Sequence, residues 1–211
     1  RLPVIFVFHG YKEDAEKIRK NSGLDAADAI VAYLDGKDSA WAPAPYASTS
    51  GQQDLAFVDA VLAEIEGEFS VDRSRVFAAG FSNGGGFAAF VGCQRPQAFT
   101  GIATVAGAYY QRVSAGCSQI PMMHVDFHGT GDNVIAYNGG QRHATAYNSV
   151  EEMLHESASR NHCAARDEDI EVAPGVIRER WSRCDAELAH YRIENGPHVW
   201  PGGACLLYTS D

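Results

Sequence analysis

The sequence predicts an open α/β sheet with a mostly parallel centre and helices on its faces. Three observations predict it. Continuous apolar runs such as Pro3–Phe8 recur without the alternation of a half-exposed strand, as strands buried on both faces require. Stretches with apolar residues at steps of three and four lie between these runs. Glycine-containing turns close the runs, notably after Phe8, Leu34, Ala79 and Phe127.

Taken in order, Pro3–Phe8 is the first strand and ends at His9-Gly10. Ala29–Leu34 is the second, closed by Asp35-Gly36. A loop rich in Pro, Ser and Gly follows from Lys37 to Gln52 and carries Trp41 and Tyr46. Leu55, Val58, Leu62, Ile65 and Phe69 then fall on one stripe of a helix. Arg75–Ala79 is the third strand and enters Gly80-Phe81-Ser82-Asn83-Gly84-Gly85-Gly86, after which a helix with Phe87, Phe90 and Val91 runs toward Pro96. Gly101–Ala108 reads as a small-residue strand. Met122–Phe127 is a further strand, ending at His128-Gly129-Thr130-Gly131-Asp132. Tyr147, Val150, Leu154 and Ala158 make another helical stripe. Val176–Arg183 and Leu188–Ile193 are the last strands, followed by Asn195-Gly196-Pro197-His198. Strands separated by helices point to parallel pairing.

A chain of 211 residues that is 45% hydrophobic suits one domain with a sizeable core. Its formal charge of −10 argues against nucleic acid or an anionic membrane as partner. No apolar run is long enough to span a bilayer. The five cysteines, Cys93, Cys117, Cys163, Cys184 and Cys205, include no CxxC pair, so a structural zinc is not expected. Two pairings, Cys93 with Cys117 and Cys163 with Cys184, close modest loops. Buried free thiols are the alternative that spacing leaves open. The chain opens at Arg1 on what reads as a core strand, so the native N-terminus is expected to lie upstream. Residues 1–204 read as one domain. Residues 205–211 (CLLYTSD) resemble translated sequencing-adapter read-through, with an ordinary short tail as the alternative.

The chemistry centres on Gly80-Phe81-Ser82-Asn83-Gly84, a G-x-S-x-G string between a strand and a helix. That context is what a nucleophile elbow needs: the sharp turn lifts Ser82 above the sheet, and small residues two before and two after it allow the close approach. There the helix N-terminus and the Asn83 N–H can stabilise negative charge. A Gly-rich turn that only packs tightly or grips an anion is the bland reading. A serine needs a base, and His198 follows the last strand in the expected position. Asp132, just past the C-terminal end of its strand, is the candidate acid that orients and stabilises the imidazole. His9 and His128 also end strands and are weaker candidates, read first as residues that hydrogen-bond loop backbone. Tyr11 N–H, in the turn after the first strand, is the candidate second oxyanion donor. Trp41, Tyr46, Tyr109, Tyr110, Tyr137 and Trp200 fall in loops and are candidates for an aromatic wall; Trp41 and Trp200 are taken as the substrate-binding pair.

His9-Gly10-Tyr11, the elbow through Gly85, His128–Asp132 and His198-Val199-Trp200-Pro201-Gly202 together resemble one α/β-hydrolase group. It comprises the feruloyl esterases of carbohydrate esterase family one and the related polyhydroxybutyrate depolymerases. The likeness runs from about Arg1 to Gly203. It implies an α/β-hydrolase fold, with Ser82, Asp132 and His198 as nucleophile, acid and base, and Tyr11 and Asn83 as oxyanion donors. It also implies secretion, disulfides at Cys93/Cys117 and Cys163/Cys184, no metal or organic cofactor, and a feruloylated polysaccharide or oligosaccharide as substrate. Acetylxylan esterase and polyhydroxybutyrate depolymerase are rival activities of the same chemistry, and a non-catalytic binding module is a rival of another class. The chain departs from the group in starting at the His-Gly strand and in lacking a helix after the Trp-Pro-Gly turn. Truncation at both ends is therefore expected.

Overall fold

Each apolar run becomes a strand, and the longest of them line up side by side. In the computed structural model, which describes residues 1–202, the elements in chain order are β1 (Leu2–Phe8), α1 (Ala15–Ser22), β2 (Ile30–Leu34), α2 (Gly51–Glu68), β3 (Val71–Phe81), α3 (Asn83–Gln94), β4 (Gly101–Val105) and β5 (Met123–Gly129). They continue with β6 (Gly140–Arg142), β7 (Thr145–Tyr147), α4 (Val150–Arg160), β8 (Ala165–Arg166), β9 (Ile170–Ala173), β10 (Val176–Ser182) and β11 (Leu188–Ile193). The main sheet has the order β2-β1-β3-β4-β5-β11-β10-β8, with β9 also on β10. Pairing is parallel from β2 through β11 and antiparallel beyond it, where β10 folds back on β11. Residues 205–211, with Cys205, lie outside the described residues.

Both faces of β1 are used, which is why its sequence does not alternate. Val4, Phe6 and Phe8 enter one core with Leu55, Val58 and Leu62 of α2 and Phe87, Phe90 and Val91 of α3. Val7 enters another core with Ile18 of α1, with Ile5 packed beside it. Full burial of such side chains contributes about 1.5–3 kcal/mol each. A third cluster seats α4, through Val150, Met153 and Leu154, against Leu188 of β11.

Three departures from the sequence reading have local causes. Tyr147 is not on a helical stripe: it ends β7, and α4 starts only after the capping box of Ser149 and Glu152. Gly101–Ala108 stops pairing at Val105, because Ala106 turns to a φ of 47°. The unforeseen α1 has eight residues and buries only Ile18; Asp14 caps its start and Gly23, at φ 65°, ends it. Disulfides Cys93–Cys117 and Cys163–Cys184 are present. The first ties the end of α3 to the loop before β5, and the second ties the end of α4 to the turn before β11.

Candidate active site

Four loops leave neighbouring strands at one edge of the sheet. Phe8 at the end of β1 pairs with Gly80 of β3, and Gly129 at the end of β5 pairs with Ile193 of β11. The parallel register thus brings the segments after residues 8, 81, 129 and 193 to the carboxyl edge, where open α/β sheets bind ligands.

Ser82 sits between β3 and α3 with φ 55° and ψ −115°, a backbone region that L-residues rarely adopt. The turn is held by Ser82 N–H to Val105 O at 2.9 Å and by Ala108 and Gly86 N–H to Ser82 O, each at 3.0 Å. The flanking glycines are required by contact: a Cβ on Gly80 would collide with the carbonyl of Gly84, and one on Gly84 with the carbonyls of Phe8 and His9. Asn83 opens α3, so its N–H has no intrahelical acceptor. Its side chain is engaged elsewhere. Oδ1 accepts from Trp41 N–H at 2.8 Å and Nδ2 donates to Trp41 O at 2.9 Å, which pins the loop after β2 beneath the elbow.

His198 Nε2 lies 2.9 Å from Ser82 Oγ, and His198 Nδ1 lies 2.6 Å from Asp132 Oδ2. Asp132 Oδ1 accepts from the N–H groups of Val134 and Ile135, each at 2.8 Å, so the carboxylate is fixed from both sides. Burial pushes this carboxyl upward. Bonds from His128, His198 and the Ile135 backbone outweigh it, and Asp132 titrates well below the usual carboxylate range. An ionised Asp132 on Nδ1 keeps that nitrogen protonated and leaves Nε2 free to accept a proton from the hydroxyl.

The other strand-end histidines shape loops. His9 Nδ1 donates to Gly10 O at 2.8 Å and Nε2 accepts from Gly36 N–H at 2.9 Å. His128 Nε2 donates to Ile135 O at 2.8 Å and lies 3.4 Å from Asp132. Burial disfavours its charge, but Asp132, Asp126 and the Ile135 carbonyl together raise its pKa. Neither histidine reaches Ser82.

Behind β5 lies a buried polar network. Asp126 is 2.8 Å from His190 Nδ1 and accepts from Tyr109 and from Thr104, the latter at 2.6 Å. Thr104 accepts from His124 Nε2 at 2.8 Å, and burial pushes His124 down to about 4. Among the described residues no group of three or more His, Cys, Asp or Glu side chains gathers as a metal site.

The cleft beside Ser82 measures about 180 Å³ and is lined by Tyr11, Tyr46, Tyr110, Arg142, His143 and His198, among others. Tyr11 and Tyr46 stack at 3.9 Å, and His143 stands edge-on to both. Two expected contacts are corrected here. Trp41 is fully buried, stacked on Phe87 at 4.9 Å and edge-on to Phe8, because Asn83 holds its backbone under the elbow. Trp200 does not line this cleft. It packs in an apolar depression of about 370 Å³ on the other face of the sheet, with Ile5, Phe77, Val105 and Phe127. Tyr109 and Tyr137 are core residues as well. Sequence reasoning did not place Arg142 and His143 at the cleft. They sit at the tip of the β6–β7 hairpin, whose turn residues His143 and Ala144 both have positive φ (51° and 56°) without the Asn-Gly or Asp-Gly that would announce it.

The phospholipase/carboxylesterase family model matches residues 48–168. A probable feruloyl esterase C of Aspergillus clavatus is 34% identical over 132 residues, covering 60% of this chain and 45% of its own. Feruloyl esterase B of Piromyces equi is 31% identical over 93% of this chain and 39% of its own. The chain thus spans less than half the length of these two relatives. Among solved structures, the acetyl xylan esterase from Aspergillus awamori superposes with a TM-score of 0.73 over 95% of this chain and 85% of its own, at 13% identity. That likeness shows the α/β-hydrolase fold.

Proposed function

The chain belongs to the phospholipase/carboxylesterase family of α/β-hydrolases, and from that premise we propose that it is a secreted serine carboxylic-ester hydrolase acting on hydroxycinnamate esters of plant cell-wall polysaccharide. The observation that carries the chemistry is the hydrogen-bonded line from Ser82 Oγ through His198 to Asp132, at 2.9 and 2.6 Å. Ser82 attacks the ester carbonyl as its proton passes to His198 Nε2. The tetrahedral oxyanion is met by the N–H groups of Tyr11 and Asn83, neither of which donates within the protein among the described residues. Collapse expels the sugar alcohol, which takes the proton from His198 and leaves the acyl group on Ser82. Water then attacks the acyl-enzyme with His198 again as base, releasing the carboxylic acid.

The aromatic acyl group rests on two supports: the flat surfaces of Tyr11, Tyr46 and Tyr110 around the cleft, and relatives named as feruloyl esterases. The two disulfides support an extracellular site of action. Residues 1–204 are taken as one catalytic domain.

The test is turnover of methyl ferulate, acetylated xylan and hydroxybutyrate oligomers by the wild type and Ser82→Ala side by side. Ferulate release that Ser82→Ala abolishes is the expected result. Release of acetate or hydroxybutyrate alone reassigns the acyl group, and no turnover of any ester by a folded protein removes the reading.

A further inference from the structure

A second cavity, of about 320 Å³, opens between α3, α4 and the connection from β4 to β5. Its apolar lining includes Ile102, Met153 and the rings of Tyr109 and Tyr110, and Glu156 lies at its exposed rim. Arg160, in the last turn of α4, also lines it and is only 8% exposed. Among the described residues its guanidinium makes no hydrogen bond and no ion pair, and its Nε is buried without a partner. Burial disfavours the charge, and Glu156 is the carboxylate that opposes that effect. The C-terminal end of a helix accounts for a cation there. It does not account for a largely buried cation whose side chain finds no acceptor in the protein, an arrangement that is costly unless water or a ligand supplies one.

We propose that this cavity is a binding site for a small organic carboxylate with a flat apolar body, distinct from the cleft beside Ser82. A carboxylate is the group that answers a forked guanidinium with two parallel hydrogen bonds. One guanidinium, set beside apolar and aromatic side chains and with Glu156 and polar groups such as Gln119 and Asn148 also lining the cavity, suits a monoanion with a hydrophobic body better than a phosphate dianion. The volume lies within the range of small-molecule sites. Tyr110 is the shared wall: it lines both this cavity and the cleft. The inference stands whether or not the protein is an esterase.

The chain has three methionines, Met122, Met123 and Met153. Of these, Met153 lines the cavity, and Met123 lies on the apolar face of the sheet with Trp200. The wild type labelled with ¹³C-methyl methionine is titrated with trans-cinnamate, up to roughly 10 mM, with cinnamyl alcohol as the uncharged control. The expected result is a saturable shift of the Met153 methyl with cinnamate, none with the alcohol, and an unmoved Met123. Arg160→Gln is expected to weaken the effect about tenfold or more, the loss of a charge-assisted pair, while Arg142→Gln, in the cleft, leaves it unchanged. An unmoved Met153, an equal response to the alcohol, or a response lost in Arg142→Gln and kept in Arg160→Gln overturns the proposal. Should Arg160→Gln fail to fold, the comparison of acid with alcohol on the wild type decides.

Discussion

Replacing Asn83 with alanine tests how the elbow is supported from below. The side chain makes two hydrogen bonds, of 2.8 and 2.9 Å, to the backbone N–H and C=O of Trp41, a residue with 0% exposure. Alanine leaves both backbone groups buried without these partners. Each orphaned group costs about 1–3 kcal/mol, so the loss for the two is expected at about 2–6 kcal/mol. Urea unfolding followed by tryptophan fluorescence reads it, since Trp41 stacks on Phe87 in the core that opens. Asn83→Asp keeps an acceptor for the Trp41 N–H but turns an oxygen toward its carbonyl, and is expected to be no more stable than the alanine variant. The Asn83 N–H is unaltered in both, so any fall in turnover should follow the folded fraction and the displacement of the loop after β2. A stability loss below about 0.5 kcal/mol in Asn83→Ala refutes the reasoning and leaves Trp41 held by its ring contacts alone.

Two further predictions concern the acid and the effect of pH. Asp132→Asn removes the carboxylate from His198 Nδ1 and is expected to lower kcat on the order of 10³–10⁴-fold with a small change in KM; steady-state kinetics on the preferred ester checks it, and a loss under about tenfold contradicts it. Stability is expected to fall as pH drops from about 6.5 to about 4, because the unfolded chain protonates His124 at its ordinary value while the folded protein holds it neutral down to about 4. Below that window His124 alone destabilises by about 3 kcal/mol. Asp126 and Asp132, both held below the usual carboxylate range, give stability that is present near neutrality and lost in acid, the same direction. His128, whose pKa is raised, acts oppositely: its contribution is full below about pH 6.5 and is lost as pH rises through its folded value. Urea midpoints across this range check the sum, and a flat profile between pH 6.5 and 4 contradicts it.

What was legible in the sequence was whatever has a strong local cause. A strand buried on both faces must be apolar throughout, so β1 and the core of β3 stood out. The elbow stood out because Gly80 and Gly84 sit where no side chain fits. Asp132 and His198 were legible by order along the chain, although 66 residues separate them and only the register of β5 with β11 makes them neighbours. The aromatics were not legible individually. Trp41 and Tyr46 lie five residues apart in one loop, yet one is core and the other lines the cleft, and the difference is made by a hydrogen-bonded partner, Asn83, 42 residues away. The β6–β7 hairpin escaped because its turn uses His143 and Ala144 where glycine or asparagine would have marked it. Arg160 carries no local signal in the sequence, because its lack of an acceptor is a property of three elements packed together.

The most direct test of the account is intact-mass and peptide mapping after exposure to a fluorophosphonate. One adduct per chain, on the peptide containing Ser82, formed quickly by the wild type and slowly or not at all by His198→Ala, is the predicted result. Labelling of a different residue, or labelling of Ser82 at the same rate without His198, contradicts the claim that the imidazole drives the hydroxyl.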